Sequence, residues 1–238
     1  MTSDASQLAD TTAQLDIVAT ATGRLLPAVA ALGEADLAEP SLLPGWTRGH
    51  VLAHLSRNAD SLVNLLLWAR TGIETPQYAS QFLREADIEA GAPRPLREQL
   101  EDLTASHERW LALARVMPAD RWSTPVRNRA GGEIPATRVV WMRLLEVEIH
   151  HVDLNLGYTP ADWPADFTTR LLAQSITEVK PAEGTGFTVT ATDTGFTDTV
   201  GTPATTVTGP AAALAAWLIG RSPGTDLTGD LPNLAAWK

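Results

Sequence analysis

The segment "GWTRGHVLAH", residues 45–54, marks the start of a long helix and places two histidines on it. Thr47 belongs to the residue types that cap helix N-termini, and Trp46 before it is positioned to form a hydrophobic staple. His50 then falls in the first helical turn, where the positive end of the helix dipole disfavours a protonated imidazole. His54 lies one turn deeper beside the apolar seam, so it is the stronger ligand candidate of the two.

Apolar residues recur at three- and four-residue steps in four long stretches, which predicts four amphipathic helices. These stretches run at about 8–32, 48–71, 95–116 and 136–156. Because each apolar stripe needs a partner, four such helices predict a four-helix bundle. His107 is in phase with the third stripe and is predicted to be a core or boundary histidine. The connections at 32–45 and 124–135 carry turn chemistry and are predicted as loops, and the long loop at 71–95 is of a length that is often functional.

The last third of the chain has a different pattern and predicts a second, smaller domain. Residues 186–201 alternate with a period near two around a central turn, which predicts a β-hairpin. Residues 205–224 predict a strand and then a helix that begins at Pro210. We therefore predict a mainly α fold with an α+β part: a four-helix bundle at 1–159 and a small α+β domain at 160–238.

The composition excludes several classes of function. A net charge of −10 argues against a nucleic-acid partner, and it requires that a local arginine meet any anionic substrate. The 238 residues include no cysteine, which excludes disulfides, thiolate metal ligands and a cysteine nucleophile. There is no long apolar run and no secretory signal, so we expect a cytoplasmic protein without a membrane partner. The sequence does not indicate an oligomeric state.

The fourth predicted helix contains "RLLEVEIHHVDLN", residues 143–155, with two acid–histidine pairs. Glu146 and His150 are four apart and stack on one flank of the apolar seam, while Glu148 and His151 are three apart on the other flank. Either pair, with a histidine from a facing helix, could chelate a divalent cation such as a catalytic zinc. Alternatively, these groups are salt-bridging residues that flank a core stripe. Spacing does not choose between the flanks.

Several segments resemble the mycothiol-dependent maleylpyruvate isomerases, and together they span nearly the whole chain and both predicted domains. They are "SLLPGWTRGHVLAHLSRNAD" (41–60), "WARTGIETPQY" (68–78), "ATRVVWMRLLEVEIHHVDLNLGY" (136–158) and "GPAAALAAWLIGR" (209–221). The Gly-Trp-Thr-x-x-His-x-x-x-His pattern is shared among DinB-like metal-binding bundles. The second segment and the C-terminal Gly-Arg segment are narrower, and they indicate the isomerase itself.

The resemblance implies a specific site. It implies that zinc and the thiol cofactor mycothiol are bound through His54, Glu146 and His150. It matches Arg221 to an arginine implicated in catalysis, whereas position alone predicts a cation that caps a helix C-terminus. Arg84, in the predicted loop at 71–95, is a second candidate for binding a carboxylate.

The implied partners are a small dicarboxylate substrate and a low-molecular-weight thiol. The implied reaction is the cis-to-trans isomerisation of maleylpyruvate to fumarylpyruvate in gentisate breakdown. A thiolate adds to the double bond, the resulting single bond turns, and elimination follows. Two alternatives use the same residues: a mycothiol S-transferase that releases the adduct, and a non-enzymatic, metal-stabilised binding module.

Overall fold

The computed structural model describes residues 2–181, 186–235 and 237, with side chains described from Asp10 onward. The chain forms two compact units, Met1–Leu156 and Gly157–Lys238. The first is helical and the second combines helices with a small sheet, so the predicted fold class is confirmed. Within the described residues, no helix is both long enough and apolar enough to span a bilayer.

The first unit is built on four long helices, and all four predicted helices are observed. They are α1 (Thr2–Ala30), α2 (Arg48–Thr71), α4 (Leu96–Arg115) and α5 (Arg138–Asp153), with the shorter α3 (Gln81–Gly91) between α2 and α4. Helix α2 packs on α4 and α5, and α1 packs on the same two helices. Each apolar stripe therefore faces two neighbours, as a four-helix bundle requires.

Helix α3 corrects the prediction of a loop at 71–95, and Arg84 lies on this helix. Ser80 caps it, because its hydroxyl accepts a hydrogen bond from the backbone N–H of Leu83. Along the helix only Ile88 and Gly91 are buried. The helix has only eleven residues and lies in a connection with Gly and Pro on both sides, so the sequence predicted a loop there.

A short hairpin corrects the prediction of a loop at 124–135. Strands β1 (Pro125–Arg127) and β2 (Glu133–Pro135) pair antiparallel in register. The chain reverses between them with Gly131 in the left-handed region, at φ 81°. Strands of three residues are too short for alternation to be recognised, which is why turn chemistry alone was visible in the sequence.

The second unit contains α6 (Ala165–Glu178), a three-stranded sheet and α7 (Ala211–Leu218). The strands are β3 (Gly186–Ala191), β4 (Thr197–Val200) and β5 (Pro203–Gly209) in the order β4-β3-β5. Strand β3 pairs antiparallel with β4, as the predicted hairpin requires, and parallel with β5. Buried Phe187, Val189 and Val207 form the inner face of the sheet, and α6 packs against α7.

His107 on α4 is a core histidine, as its phase predicts, and it should make stability depend on pH. It is 7% exposed and lies 3.3 Å from the Thr22 hydroxyl. Burial, together with the charges of Arg143 and Arg115, lowers its pKa from 6.5 to about 4. Between these values the unfolded chain binds a proton that the folded chain does not. The contribution of neutral His107 to the free energy of unfolding is therefore complete above pH 6.5 and is lost as the pH falls towards 4.

We expect this histidine to remove about 2 kcal/mol of unfolding free energy between pH 8 and pH 5. Urea unfolding at the two pH values measures the loss, and His107→Gln is the comparison because it cannot titrate. The variant should lose less stability than the parent chain over this interval. Equal losses in the two proteins would contradict the assignment.

Candidate metal centre

Three potential metal ligands from two helices meet inside the first unit. His54 of α2 and Glu146 and His150 of α5 each offer a ligand atom, and these atoms lie within 4.8 Å of one another. The Glu146 Oε2 atom lies 2.9 Å from His54 Nε2 and 3.1 Å from His150 Nε2. Two imidazole nitrogens and one carboxylate oxygen converging in this way match the donor set of a three-ligand zinc site.

The helices place these side chains by simple geometry. Glu146 and His150 are four residues apart, so they stack on one face of α5. The start of α2 lies beside the end of α5, where Arg48 Nε donates a 2.9 Å hydrogen bond to the carbonyl of Leu154. Antiparallel packing then brings His54, two turns into α2, level with the pair on α5.

Asp153 is a buried carboxylate behind the cluster that sequence reasoning missed. It is 0% exposed, and its Oδ2 accepts a 2.7 Å hydrogen bond from His150 Nδ1. This bond fixes a proton on Nδ1 and directs Nε2 towards Glu146. The available signal was a carboxylate three residues after a histidine on the same helix, which places both on one face.

The surroundings shift the pKa values of the three cluster residues in different directions. Burial lowers the pKa of His54, although the neighbouring Glu146 carboxylate opposes the effect. Burial alone would raise the pKa of Glu146, but His54 and His150 outweigh it and hold that pKa well below its usual range. Burial likewise opposes protonation of His150, but hydrogen bonds to Asp153 and Glu146 raise its pKa. Cation binding requires that His150 be deprotonated at Nε2.

The second acid–histidine pair of α5 faces a different helix. Glu148 is 1% exposed and forms an ion pair with Arg24 of α1. His151 is also buried. Glu148 is thus committed to the contact between α1 and α5, so the flank that carries Glu146 and His150 is the one that meets His54.

His50, the other histidine of the opening segment, acts at the start of α2. The Thr47 hydroxyl accepts a hydrogen bond from the backbone N–H of His50, and His50 Nδ1 accepts one from the backbone N–H of Thr47. This reciprocal pair caps the helix in the manner of a capping box. Its Nε2 lies 3.3 Å from Glu89. His50 therefore has a structural role, and Trp46 stacks against its ring.

The two candidate arginines lie in different units. Arg84 of α3 has its Nη2 atom 3.3 Å from His54 Nδ1 and its guanidinium 5.7 Å above the ring of Tyr78. Arg221 follows α7 in the second unit; its backbone N–H donates to Ala216, and its Nη1 donates to the carbonyl of Ile219. Arg221 thus closes the C-terminus of α7, and its part in catalysis stays a prediction.

Tyr78 is a further residue beside the cluster that sequence reasoning did not single out. Burial raises the pKa of its phenol, while Ser61 and Arg84 hydrogen-bond to it and favour ionisation. The negative charge of Glu146 acts on the same phenol. Tyr78 and Arg84 therefore form a polar wall next to the ligand cluster.

Comparisons with known proteins match both units of the chain to one protein family. The family model described as the mycothiol maleylpyruvate isomerase N-terminal domain matches residues 18–155, and the C-terminal domain of that family matches 162–236. A crystal structure of the mycothiol-dependent maleylpyruvate isomerase is 28% identical with a TM-score of 0.89. A second crystal structure, of a variant in which one histidine is replaced by alanine, is 28% identical with a TM-score of 0.88. Both comparisons cover 97% of this chain and 99% of the other chain. No curated protein sequence matches.

Proposed function

Because this chain belongs to the mycothiol maleylpyruvate isomerase family, we propose that it is a cis–trans isomerase that converts maleylpyruvate to fumarylpyruvate in gentisate breakdown. The observation that carries the proposal is the convergence of His54, Glu146 and His150 in a chain that matches this family in both domains. The thiol cofactor is mycothiol, on which the enzyme with the similar crystal structure depends.

We assign the divalent cation, zinc by preference, to His54, Glu146 and His150. The donor set supports this choice, because two imidazoles and a carboxylate leave a coordination position open. Asp153 adds the carboxylate–histidine contact that commonly orients a metal-ligating imidazole. When bound, such a cation supplies Lewis acidity that lowers the pKa of a thiol in the open position.

The absence of cysteine supports an external thiol. Rotation about a conjugated double bond requires a lower bond order. Addition of a thiolate converts the double bond to a single bond, and elimination after the rotation restores the double bond and releases the thiolate. No side chain of this protein can be that thiolate, since the sequence contains no cysteine. The nucleophile must therefore come from a small molecule.

Arginines are assigned to the negative charge of the substrate. Maleylpyruvate carries two carboxylates, and the enolate formed on addition is negative. In a chain with a net charge of −10, local cations have to bind these groups. Arg84, which lies against His54, and Arg221 of the second unit are the candidates. A guanidinium can bind a carboxylate through two hydrogen bonds or stabilise the developing charge.

An isomerisation assay tests the proposal directly. The full chain, treated with a chelator and then reloaded with zinc, is mixed with maleylpyruvate in the presence and absence of mycothiol. We expect fumarylpyruvate only when both zinc and mycothiol are present. Equal turnover without mycothiol would reject the thiol-dependent reaction. A stable thioether product would identify an S-transferase instead.

Asp153→Asn is expected to weaken cation binding by about 10- to 100-fold, the usual loss for an outer-shell partner. An amide is a weaker acceptor than a carboxylate, so it orients His150 less firmly and makes its imidazole less basic. Competition with a chelating dye measures the affinity. Asp102→Asn is the matched control, since Asp102 is a carboxylate of α4 that pairs with Arg57 and Arg94 and has no contact with His150 assigned to it. An equal loss in both variants would contradict a role specific to Asp153.

A further inference from the structure

Arg143 is a fully buried arginine on α5 that the proposed function does not use. It is 0% exposed and precedes Glu146 by three residues. Its Nη1 donates a 2.8 Å hydrogen bond to the backbone carbonyl of Leu55 and a 3.0 Å hydrogen bond to Asn58 Oδ1. Both acceptors belong to α2. A single guanidinium nitrogen therefore joins the two helices that carry the ligand cluster.

Stability does not account for an arginine at this position. Among the residues that the structure describes, its Nε and Nη2 atoms have no hydrogen-bond partner. Burial lowers the pKa of Arg143 from 12.5 to about 10, although the charges of Glu146, Tyr78 and Asp60 oppose the shift. An apolar side chain of similar volume often fills such a site at equal or lower cost. The directed contacts to α2 are what an apolar side chain would lack.

The contact of Arg143 with α2 lies close to the ligand cluster along both helices. Leu55 is the residue after His54, and Arg143 lies one helical turn before Glu146. On the other side of the cluster, Arg48 joins the start of α2 to the end of α5 through Leu154. The ligands thus lie between two arginine contacts that fix α2 against α5. Metal–ligand distances lie within about 0.2 Å of their standard values, so the separation of the two helices matters.

We propose that Arg143 is a positioning residue, which holds α2 and α5 at the separation that lets His54 and Glu146 bind one cation. This inference rests on the proposed cation site. Arg143 acts through the helices and does not itself bind the cation.

The test compares Arg143→Met with Arg57→Met in the full chain. Methionine keeps an extended apolar side chain and removes both hydrogen bonds to α2. Arg57 also joins α2 to a neighbouring helix, through 2.6 Å contacts with Asp102, but that helix is α4 and not α5. We expect Arg143→Met to bind Zn²⁺ or Co²⁺ at least about tenfold more weakly. Arg57→Met should bind as the parent chain does.

Two further measurements separate positioning from general stability. The visible spectrum of the Co²⁺-loaded protein reports ligand geometry, and it should change in Arg143→Met and not in Arg57→Met. The unfolding midpoint of Arg143→Met should stay within about 3 °C of the parent. The variant loses two hydrogen bonds, but it no longer has to bury a charged group, and the two effects offset each other. Arg143→Lys, which keeps one donor towards Leu55, should recover part of the affinity.

The outcomes are distinct. If the parent chain binds no stoichiometric cation, the proposed site and this inference both fail. If the parent binds a cation and Arg143→Met binds it equally well with the same Co²⁺ spectrum, only the inference fails. Should Arg143→Met not fold, Asn58→Ala carries the same test, since it removes one of the two acceptors. Unchanged affinity in Asn58→Ala would then overturn the inference.

Discussion

Replacement of His54 by alanine should abolish cation binding and isomerisation together. His54 supplies the one ligand that α2 contributes to the cluster, and the two that remain lie on a single helix. The loss of affinity should therefore exceed the roughly 10- to 100-fold typical of an outer-shell change. Metal content by mass spectrometry and kcat/KM for maleylpyruvate, measured on one preparation, report both effects. Glu146→Ala should give the same pair of losses.

His50→Ala is the matched control, because it removes the neighbouring histidine of the same helix. His50 caps α2 with Thr47 and lies apart from the ligand cluster. We expect this variant to lose about 1 kcal/mol of stability, as a lost cap does, and to keep its cation and turnover. If His54→Ala retains stoichiometric cation and normal turnover, the proposed centre is wrong.

Arg221→Ala should separate cation binding from turnover. The cation ligands stay intact, so metal content should equal that of the parent chain. Turnover should fall by about 100- to 1000-fold in kcat, the usual cost of losing a group that stabilises charge in the transition state. Steady-state kinetics at saturating mycothiol, together with metal analysis, measure the two quantities. Arg221→Lys should recover little, since an ammonium cannot bind a carboxylate through two parallel hydrogen bonds.

Arg221 also closes the C-terminus of α7, so lost turnover has to be distinguished from lost folding. Arg70→Ala is the control, since Arg70 lies exposed in the last turn of α2 and has no assigned part in the reaction. Its kinetics should match the parent chain. Normal turnover by zinc-loaded Arg221→Ala would reject the assignment and leave Arg84, beside His54, as the candidate.

Local sequence patterns predicted most of the fold. The four long helices repeat apolar residues at helical spacing, and the hairpin of β3 and β4 alternates around its turn, so each signal lies within one segment. Helix α3 and the hairpin of β1 and β2 were missed for the opposite reason. The helix has eleven residues within a connection that contains Gly and Pro on both sides, and the strands are three residues long, so the turn residues around them dominated the local pattern.

The sequence by itself also determined the candidates for the site. It placed His54 on α2 one turn beyond His50, identified two acid–histidine pairs on α5, and excluded a protein thiol. It did not choose between the flanks of α5, because spacing of three or four residues describes one helix alone. That choice depends on which helix each flank meets, and it is a property of packing between segments about ninety residues apart.

The tertiary structure made that choice through contacts that have no local signature. Glu148 meets Arg24 of α1, whereas Glu146 meets His54 of α2. The hydrogen bond from Arg143 of α5 to the carbonyl of Leu55 of α2 likewise joins two segments that are distant in sequence. Periodicity fixes which residues share a face, but the neighbour of that face depends on how all the helices bury their apolar stripes together.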